Sequence, residues 1–277
     1  MPSSFERAYT APMTRPFSGK SVWITGASSG IGEALARAFA EEGAVLVLSA
    51  RRREELLRVA ASCLGAKAVH VVPLDLTDGP SIEDAVRTVL SLLPGVDIMI
   101  HNGGISQRAR AIETPPSADR RIMETNFFGA VALTKALLPS MVARGTGRFV
   151  VITSLVGHFG TPLRSTYAAS KHALHGFFES LRAEHHADGV RVTLVAPGFV
   201  RTEVSRNAVG KNGARQGTMD DATEAGLSAE ECARRIVSGV ARGKDDFLVG
   251  GRETVGVYVK RLSPALFGRL IRRAKVV

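Results

Sequence analysis

The chain has 277 residues, 45% of them apolar and 22% charged, with a formal net charge of +10. That balance excludes a disordered chain, and two cysteines, Cys63 and Cys232, exclude both a disulfide framework and a four-cysteine zinc site. The surplus of positive charge invites an anionic partner: nucleic acid, a membrane surface or a phosphorylated ligand. In chain order, residues 1–18 read as a loose arm with Pro2, Pro12 and Pro16 and without the apolar run of a signal peptide. No window holds the roughly 18 apolar residues of a membrane span. With the sparse cysteines, these features predict a cytoplasmic protein, with a weak surface anchor as the alternative.

From residue 19 onward, short apolar runs alternate with amphipathic stretches. Strands are expected at Lys20–Gly26, Ala44–Ala50, Ala66–Pro73, Val96–Asn102, Gly147–Ser154 and Val190–Ala196. Between them the apolar spacing predicts helices over Ile31–Glu42, Arg52–Leu64, Ser81–Leu92, Ser117–Arg144 and Ser165–Asp188. Strands apolar on both faces, separated by helices, predict one doubly wound parallel sheet covered on both sides. The domain is expected over 19–251. Within it, Arg201–Leu227 is rich in Gly, Asn, Thr and Asp and reads as a lid over a substrate. A helix over Ser228–Arg242 and a strand at Phe247–Gly250 complete it.

The first strand runs into Thr25-Gly26-Ala27-Ser28-Ser29-Gly30-Ile31-Gly32 and then a helix. Glycines permit a tight turn there, and the helix N-terminus offers N–H groups to a pyrophosphate. This turn resembles the signature of the short-chain dehydrogenase/reductase family, which implies a single-domain Rossmann-type fold. The resemblance extends over about residues 18–250. His101-Asn102-Gly103-Gly104 is similar to the family's Asn-Asn-Ala-Gly, departing at two of four positions. Asn126, Ser154, Tyr167 and Lys171 fall where the family places catalytic residues. Pro197, Gly198, Val200 and Thr202 fall where it closes over a nicotinamide. The resemblance also implies that Lys171 bonds the nicotinamide ribose and that Asn126 holds a proton-relaying water. It implies a homodimer or homotetramer through the two long helices.

The residues carry their own chemical argument. Tyr167 and Lys171 lie four apart on one helix face. A nearby ammonium favours the phenolate of a tyrosine, whose ordinary pKa is near 10, and so suits it to acid–base work. Ser154 can bond the same substrate oxygen. The second strand ends Ala50-Arg51-Arg52 with no carboxylate before Glu54. A carboxylate there would take the ribose hydroxyls of NAD, whereas guanidinium groups suit the 2′-phosphate of NADP(H). Asp75 either accepts from the adenine amino group or simply forms a turn; Leu76 flanks it. Val156, His158 and Phe199 are expected to face a substrate, and no metal site is expected.

The expected reaction is hydride exchange between NADPH and a small-molecule ketone or secondary alcohol, apolar or lipid-like. Sparse aromatic residues and the lack of a recognised motif argue against nucleic acid as partner. From Arg252 on, seven basic residues stand against Glu253, with Leu262, Leu266 and Leu270 aligned and Phe267 and Ile271 beside them. Such an end suits peripheral contact of 254–277 with an anionic membrane, docking on a neighbouring subunit, or docking on its own core. Asn207-Ala208, Met219-Asp220, Ala225-Gly226 and Leu262–Phe267 resemble the member 7 and 7B branch of the family. That implies membrane association and lipid, steroid or retinoid carbonyl substrates.

Overall fold

The computed structural model describes residues 15–274. The alternation of short apolar runs becomes β1 (Ser21–Thr25), α1 (Gly30–Glu41), β2 (Val45–Ser49), α2 (Arg53–Ser62), β3 (Ala68–Val71), α3 (Gly79–Leu92) and β4 (Ile98–His101). There follow α4 (Pro116–Met123), α5 (Gly129–Arg144), β5 (Gly147–Ile152), α6 (Ser165–Glu184), β6 (Val190–Pro197) and β7 (Val200–Arg201). Last come α7 (Asp221–Glu224), β8 (Leu227–Ser228), α8 (Ala229–Ala241), β9 (Asp246–Val249), α9 (Val255–Leu262) and α10 (Pro264–Ile271). Seven strands form one parallel sheet in the order β3-β2-β1-β4-β5-β6-β9. The order reverses between β1 and β4, so the crevice of a doubly wound fold opens at their carboxyl ends.

Successive residues of a strand face opposite sides, and each side has its own cover. Val22 and Ile24 of β1 join Leu35 and Phe39 of α1 and Ile236 of α8 in one core. Trp23, between them, joins Val86 of α3, Leu137 of α5 and Phe178 of α6 in the other. The indole N–H of Trp23 donates to Ser49 Oγ at 2.8 Å, and that hydroxyl donates to the Val72 carbonyl at 2.7 Å. A buried polar atom is thus satisfied without leaving the sheet. Both cysteines are buried free thiols.

Four differences from the sequence expectations matter here. Phe17, assigned to the arm, is buried edge-on against Phe39 and joins the core beneath β1 and α1. Residues 1–14 of the arm and 275–277 of the tail lie outside the described residues. The helix expected over 117–144 changes pitch through a π-helical turn, Glu124–Phe128, between α4 and α5. That run is long and apolar enough to cross a membrane by length and composition; yet Leu133, Leu137 and Met141 pack fully buried in the core. The lid segment is more ordered than its composition suggests. It contributes β7, paired with β8, and Val209, which bridges to Gln107 and Arg215.

The tail turns one face onto its own core. Phe267 is buried against Phe159 at 4.8 Å, with Val257, Val259 and Ile271 half-buried around it. Its other face leaves Val255, Tyr258, Leu262, Leu266 and Leu270 exposed.

Candidate active site

The turn from β1 into α1 has the shape its glycines imply. Gly26 and Gly30 adopt φ of +65° and +59°, which a side chain rarely tolerates. A Cβ on Gly26 would lie 2.8 Å from the Gly103 Cα, and one on Gly30 would lie 3.1 Å from the Thr202 side chain. Ser28 is buried and Ile31 packs on the core. Ser29 precedes the helix in an extended conformation and makes no side-chain cap, which leaves the first N–H groups for an outside acceptor. Glu33 in the first turn would repel a phosphate, but two arginines hold it. Arg58 binds its carboxylate at 2.7 and 3.0 Å, and Arg37 also pairs with it. The hydrogen bond from Arg58 keeps the Glu33 carboxyl below the usual range despite partial burial.

Around this turn lie the other residues read as nucleotide contacts. Asn102 donates its amide to the carbonyls of Thr25 and Gly26 at 3.0 and 3.3 Å. A Cβ on Gly103 would meet the Leu76 side chain, so Leu76, Gly103 and Gly26 form one wall. Arg51 and Arg52 are exposed beyond β2, and Arg52 reaches Ser28 Oγ at 3.4 Å. Asp75 makes the turn: its carboxylate accepts from the Thr77 N–H at 2.9 Å and hydroxyl at 2.8 Å. Burial raises its carboxyl, but the Thr77 bonds and the charge of Arg51 outweigh that and hold it low. His101 departs from the family pattern because it is core. Its ring stacks on Phe149 and bonds Thr134 at 2.8 Å, and burial drives it down to about 3.

The structure brings Ser154, Tyr167 and Lys171 together at the carboxyl end of β5. Ser154 lies close enough to the Tyr167 phenol to lower its pKa, and its hydroxyl reaches the Pro197 carbonyl at 3.4 Å. Lys171 Nζ lies 5.8 Å from the centre of the Tyr167 ring and donates to the Ile152 carbonyl at 2.8 Å. Burial lowers the lysine to about 8. Burial raises the Tyr167 phenol, and the cations that pull it back are Arg164 and Arg108, a role the sequence reading gave to Lys171. Asn126, in the π-turn, accepts from the Ile105 N–H at 2.8 Å and donates to the Ile105 carbonyl at 2.9 Å and Ser170 Oγ at 3.0 Å. A Cβ on Gly104 would lie 3.1 Å from Asn126 Oδ1 and 3.9 Å from Lys171 Nζ, so these three residues meet.

Two side chains missed by sequence reasoning set this geometry. Gln107, fully buried, accepts from the N–H groups of Thr166 and Tyr167 at 2.9 and 3.2 Å. It caps α6 from 60 residues away, since Arg164 at the N-cap offers no side-chain cap. Glu253 lies against Gly198, accepts from the Gly251 N–H at 3.0 Å and receives the Phe199 N–H at 3.4 Å. Neither has a local motif; both are visible only by their partners.

On the substrate side, Val156 is buried and Phe199 is half-buried beneath the Arg164 guanidinium at 5.7 Å. Arg164 is itself buried, and with Arg108 it flanks Asp220 of the lid; Arg108 Nη2 is 2.6 Å from that carboxylate. His158 is turned elsewhere. Its ring lies 4.5 Å from that of His175, two turns along α6 from Tyr167, because the turn Leu155–Gly157 packs against that helix.

Comparisons with known proteins agree with this arrangement. The model of the short chain dehydrogenase family matches residues 20–213. A dehydrogenase/reductase SDR family protein 7-like of Anopheles gambiae is 44% identical over 94% of this chain and 84% of its own length. An alcohol dehydrogenase of Thermococcus sibiricus complexed with 5-hydroxy-NADP is 27% identical, with a TM-score of 0.71 over 85% of this chain and 97% of that one. A Burkholderia phymatum short chain dehydrogenase/reductase in complex with NAD, 24% identical, matches in fold with a TM-score of 0.81 over 91% of this chain and 96% of that one.

Proposed function

The chain belongs to the short-chain dehydrogenase/reductase family of oxidoreductases, and from that premise we infer that it is an NADPH-dependent carbonyl reductase, reversible to alcohol oxidation. The observation that carries this reading is the juxtaposition of Ser154, Tyr167 and Lys171 beside a glycine turn built for phosphate. The residues fit a nicotinamide dinucleotide, since the N-terminus of α1 has no side-chain cap and opens from a tight glycine turn. Gly26, Ser28, Ser29, Gly30, Ile31 and Gly32 would hold its pyrophosphate, and Arg51 with Arg52 its 2′-phosphate. Asp75, Leu76, Asn102, Gly103 and Gly104 would line the adenosine side. Pro197, Gly198, Val200 and Thr202 would close the nicotinamide end. When bound, the nicotinamide supplies or accepts the hydride.

The chain's own residues handle the proton and the charge. Tyr167 donates its hydroxyl proton to the substrate oxygen in reduction and takes it back in oxidation. Ser154 donates a hydrogen bond to the same oxygen as negative charge grows on it. Arg164 and Arg108 supply the positive field that offsets the burial of the Tyr167 phenol, while Lys171 stands beside the ring. Asn126 holds the 102–105 loop beside Lys171, where a water would relay protons. NADP(H) is favoured over NAD(H) because β2 is followed by Arg51 and Arg52 and no adjacent carboxylate. The solved Thermococcus sibiricus relative, complexed with 5-hydroxy-NADP, supports the same choice.

Buried Val156 and half-buried Phe199 near this centre favour an apolar or lipid-like ketone or secondary alcohol. A homodimer or homotetramer would form through the helices of residues 116–144 and 165–184. The exposed leucines of α9 and α10, flanked by Lys260, Arg261, Arg269, Arg272 and Arg273, favour peripheral contact with an anionic membrane. The test is a panel of steroids, retinoids, acyl-ketones and sugars, followed by NADPH absorbance, with Tyr167→Phe as control. The variant is expected to bind NADPH and lose about 10²–10⁴-fold in turnover, the usual worth of a positioned acid–base group. Unchanged turnover in that variant would refute the role of Tyr167.

A further inference from the structure

Two turns beyond Tyr167, helix α6 carries His175 and Glu179 one turn apart. The edge strand β9 brings its first residue, Asp246, to the same place. One ligand atom from each of these three residues lies within 4.8 Å of the others. His158 is a neighbour of this group rather than a member of it, its ring centre 4.5 Å from that of His175. None of the four belongs to the centre around Tyr167.

The two imidazoles are unusual in having so little to bond. His175 is 8% exposed, and neither its Nε2 nor that of His158 has a hydrogen-bond partner among the described residues. Its Nδ1 is 3.6 Å from Glu179 Oε1, too far for a hydrogen bond. Buried ring nitrogens normally find a partner. A neutral imidazole with a free lone pair is the form that binds a metal.

We propose that His158, His175, Glu179 and Asp246 form a zinc site. Two imidazoles with two carboxylates suit zinc, whereas magnesium and calcium take oxygen ligands. Zinc–donor bonds of about 2.0–2.2 Å put tetrahedral donors about 3.4 Å apart. The site must therefore contract, and Glu179 and Asp246 are exposed side chains with room to swing inward. Arg182 donates to the Asp245 carbonyl at 3.1 Å and already holds the start of β9 against α6. The ion would clip the sheet's edge strand and the turn Leu155–Gly157 to α6. Ser154 is the N-cap of that turn, and a Cβ on Gly157 would lie 3.2 Å from the Lys171 carbonyl. The clip would thus tie the segment bearing Ser154 to the helix bearing Tyr167 and Lys171.

The test uses the full chain without an affinity tag, stripped by a chelator, dialysed, and titrated calorimetrically with zinc chloride. Glu179→Gln and Asp246→Asn are compared with it; both sites are exposed and both changes keep the side chain's size. The expected result is one zinc per chain, bound at least about tenfold more weakly by each variant. Thermal unfolding is expected to shift upward with zinc in the unsubstituted chain and less in the variants. Absence of zinc binding by the unsubstituted chain, or a smaller loss in either variant, overturns the site.

Discussion

Arg51 is the residue on which the proposed preference for NADP(H) rests. It is exposed just past β2, and its charge reaches Asp75. A guanidinium offers paired donors to a phosphate, and a hydrogen bond to a charged group is worth about 1.5–3 kcal/mol. Arg51→Ala is therefore expected to weaken NADPH about 10–100-fold while leaving NADH within about threefold, as read by fluorescence titration of each cofactor. Equal losses for the two would remove Arg51 from the 2′-phosphate site. The same scale explains why Tyr167 and Lys171 were legible as a pair while the cations acting on Tyr167 were not. A spacing of four on a helix guarantees a shared face. Arg108 stands 59 residues before the tyrosine, and only the return of that segment against α6 brings its charge to bear.

At the scale of the element, α6 illustrates how a helix carrying chemistry is aimed. Its periodicity was readable, and its buried residues Leu174, Phe178 and Leu181 follow that period. Its start at Ser165 was readable as well, but the group that caps it was not, because that group is remote. The Gln107 amide receives the N–H groups of Thr166 and Tyr167 and donates to Thr114 Oγ1 at 2.9 Å. Gln107→Leu would leave these N–H groups without their acceptor, at about 1–3 kcal/mol each. We expect it to lower the urea midpoint, with a net loss of about 2–4 kcal/mol, and to reduce turnover. Gln107→Glu keeps an acceptor and places a negative charge at a helix N-terminus, which the dipole favours. It should recover most of the stability; if both variants unfold at the same urea concentration, the capping role is wrong. The π-turn at 124–128 belongs to this scale too. It was invisible in a pattern that favoured one continuous helix, and it carries Asn126 to the Ile105 backbone.

Across the whole molecule, the proposed membrane contact rests on the tail. Phe267 and Ile271 turn toward Phe159 and the end of the sheet. That docking forces the neighbouring leucines outward: Leu262 is 85% exposed and Leu266 48%. An apolar stripe between Lys260, Arg261, Arg269, Arg272 and Arg273 would suit the proposed anionic lipid surface, where each basic residue would contribute about 1 kcal/mol. The full chain is expected to co-sediment with vesicles containing phosphatidylserine, less so with pure phosphatidylcholine, and less at high salt. Leu262→Glu with Leu266→Glu should abolish this without altering thermal stability, since both positions are exposed. Sedimentation independent of those substitutions would leave the stripe without a membrane role.

The sequence by itself determined the alternation of strands and helices, the phosphate turn and the spacing of Tyr167 and Lys171. Each of these is local, written in apolar period, glycine placement or helical pitch. The tertiary structure alone decided that His101 is core, that His158 meets His175, that Gln107 caps α6, and which face of the tail is covered. It alone also put Asp220, 112 residues along the chain, against Arg108 at 2.7 Å and so tied the 201–227 segment to the loop after β4. The physical reason is that burial, charge pairing and ring contact depend on what the returning chain brings alongside. Periodicity says that a side chain faces inward, and packing decides what it meets there.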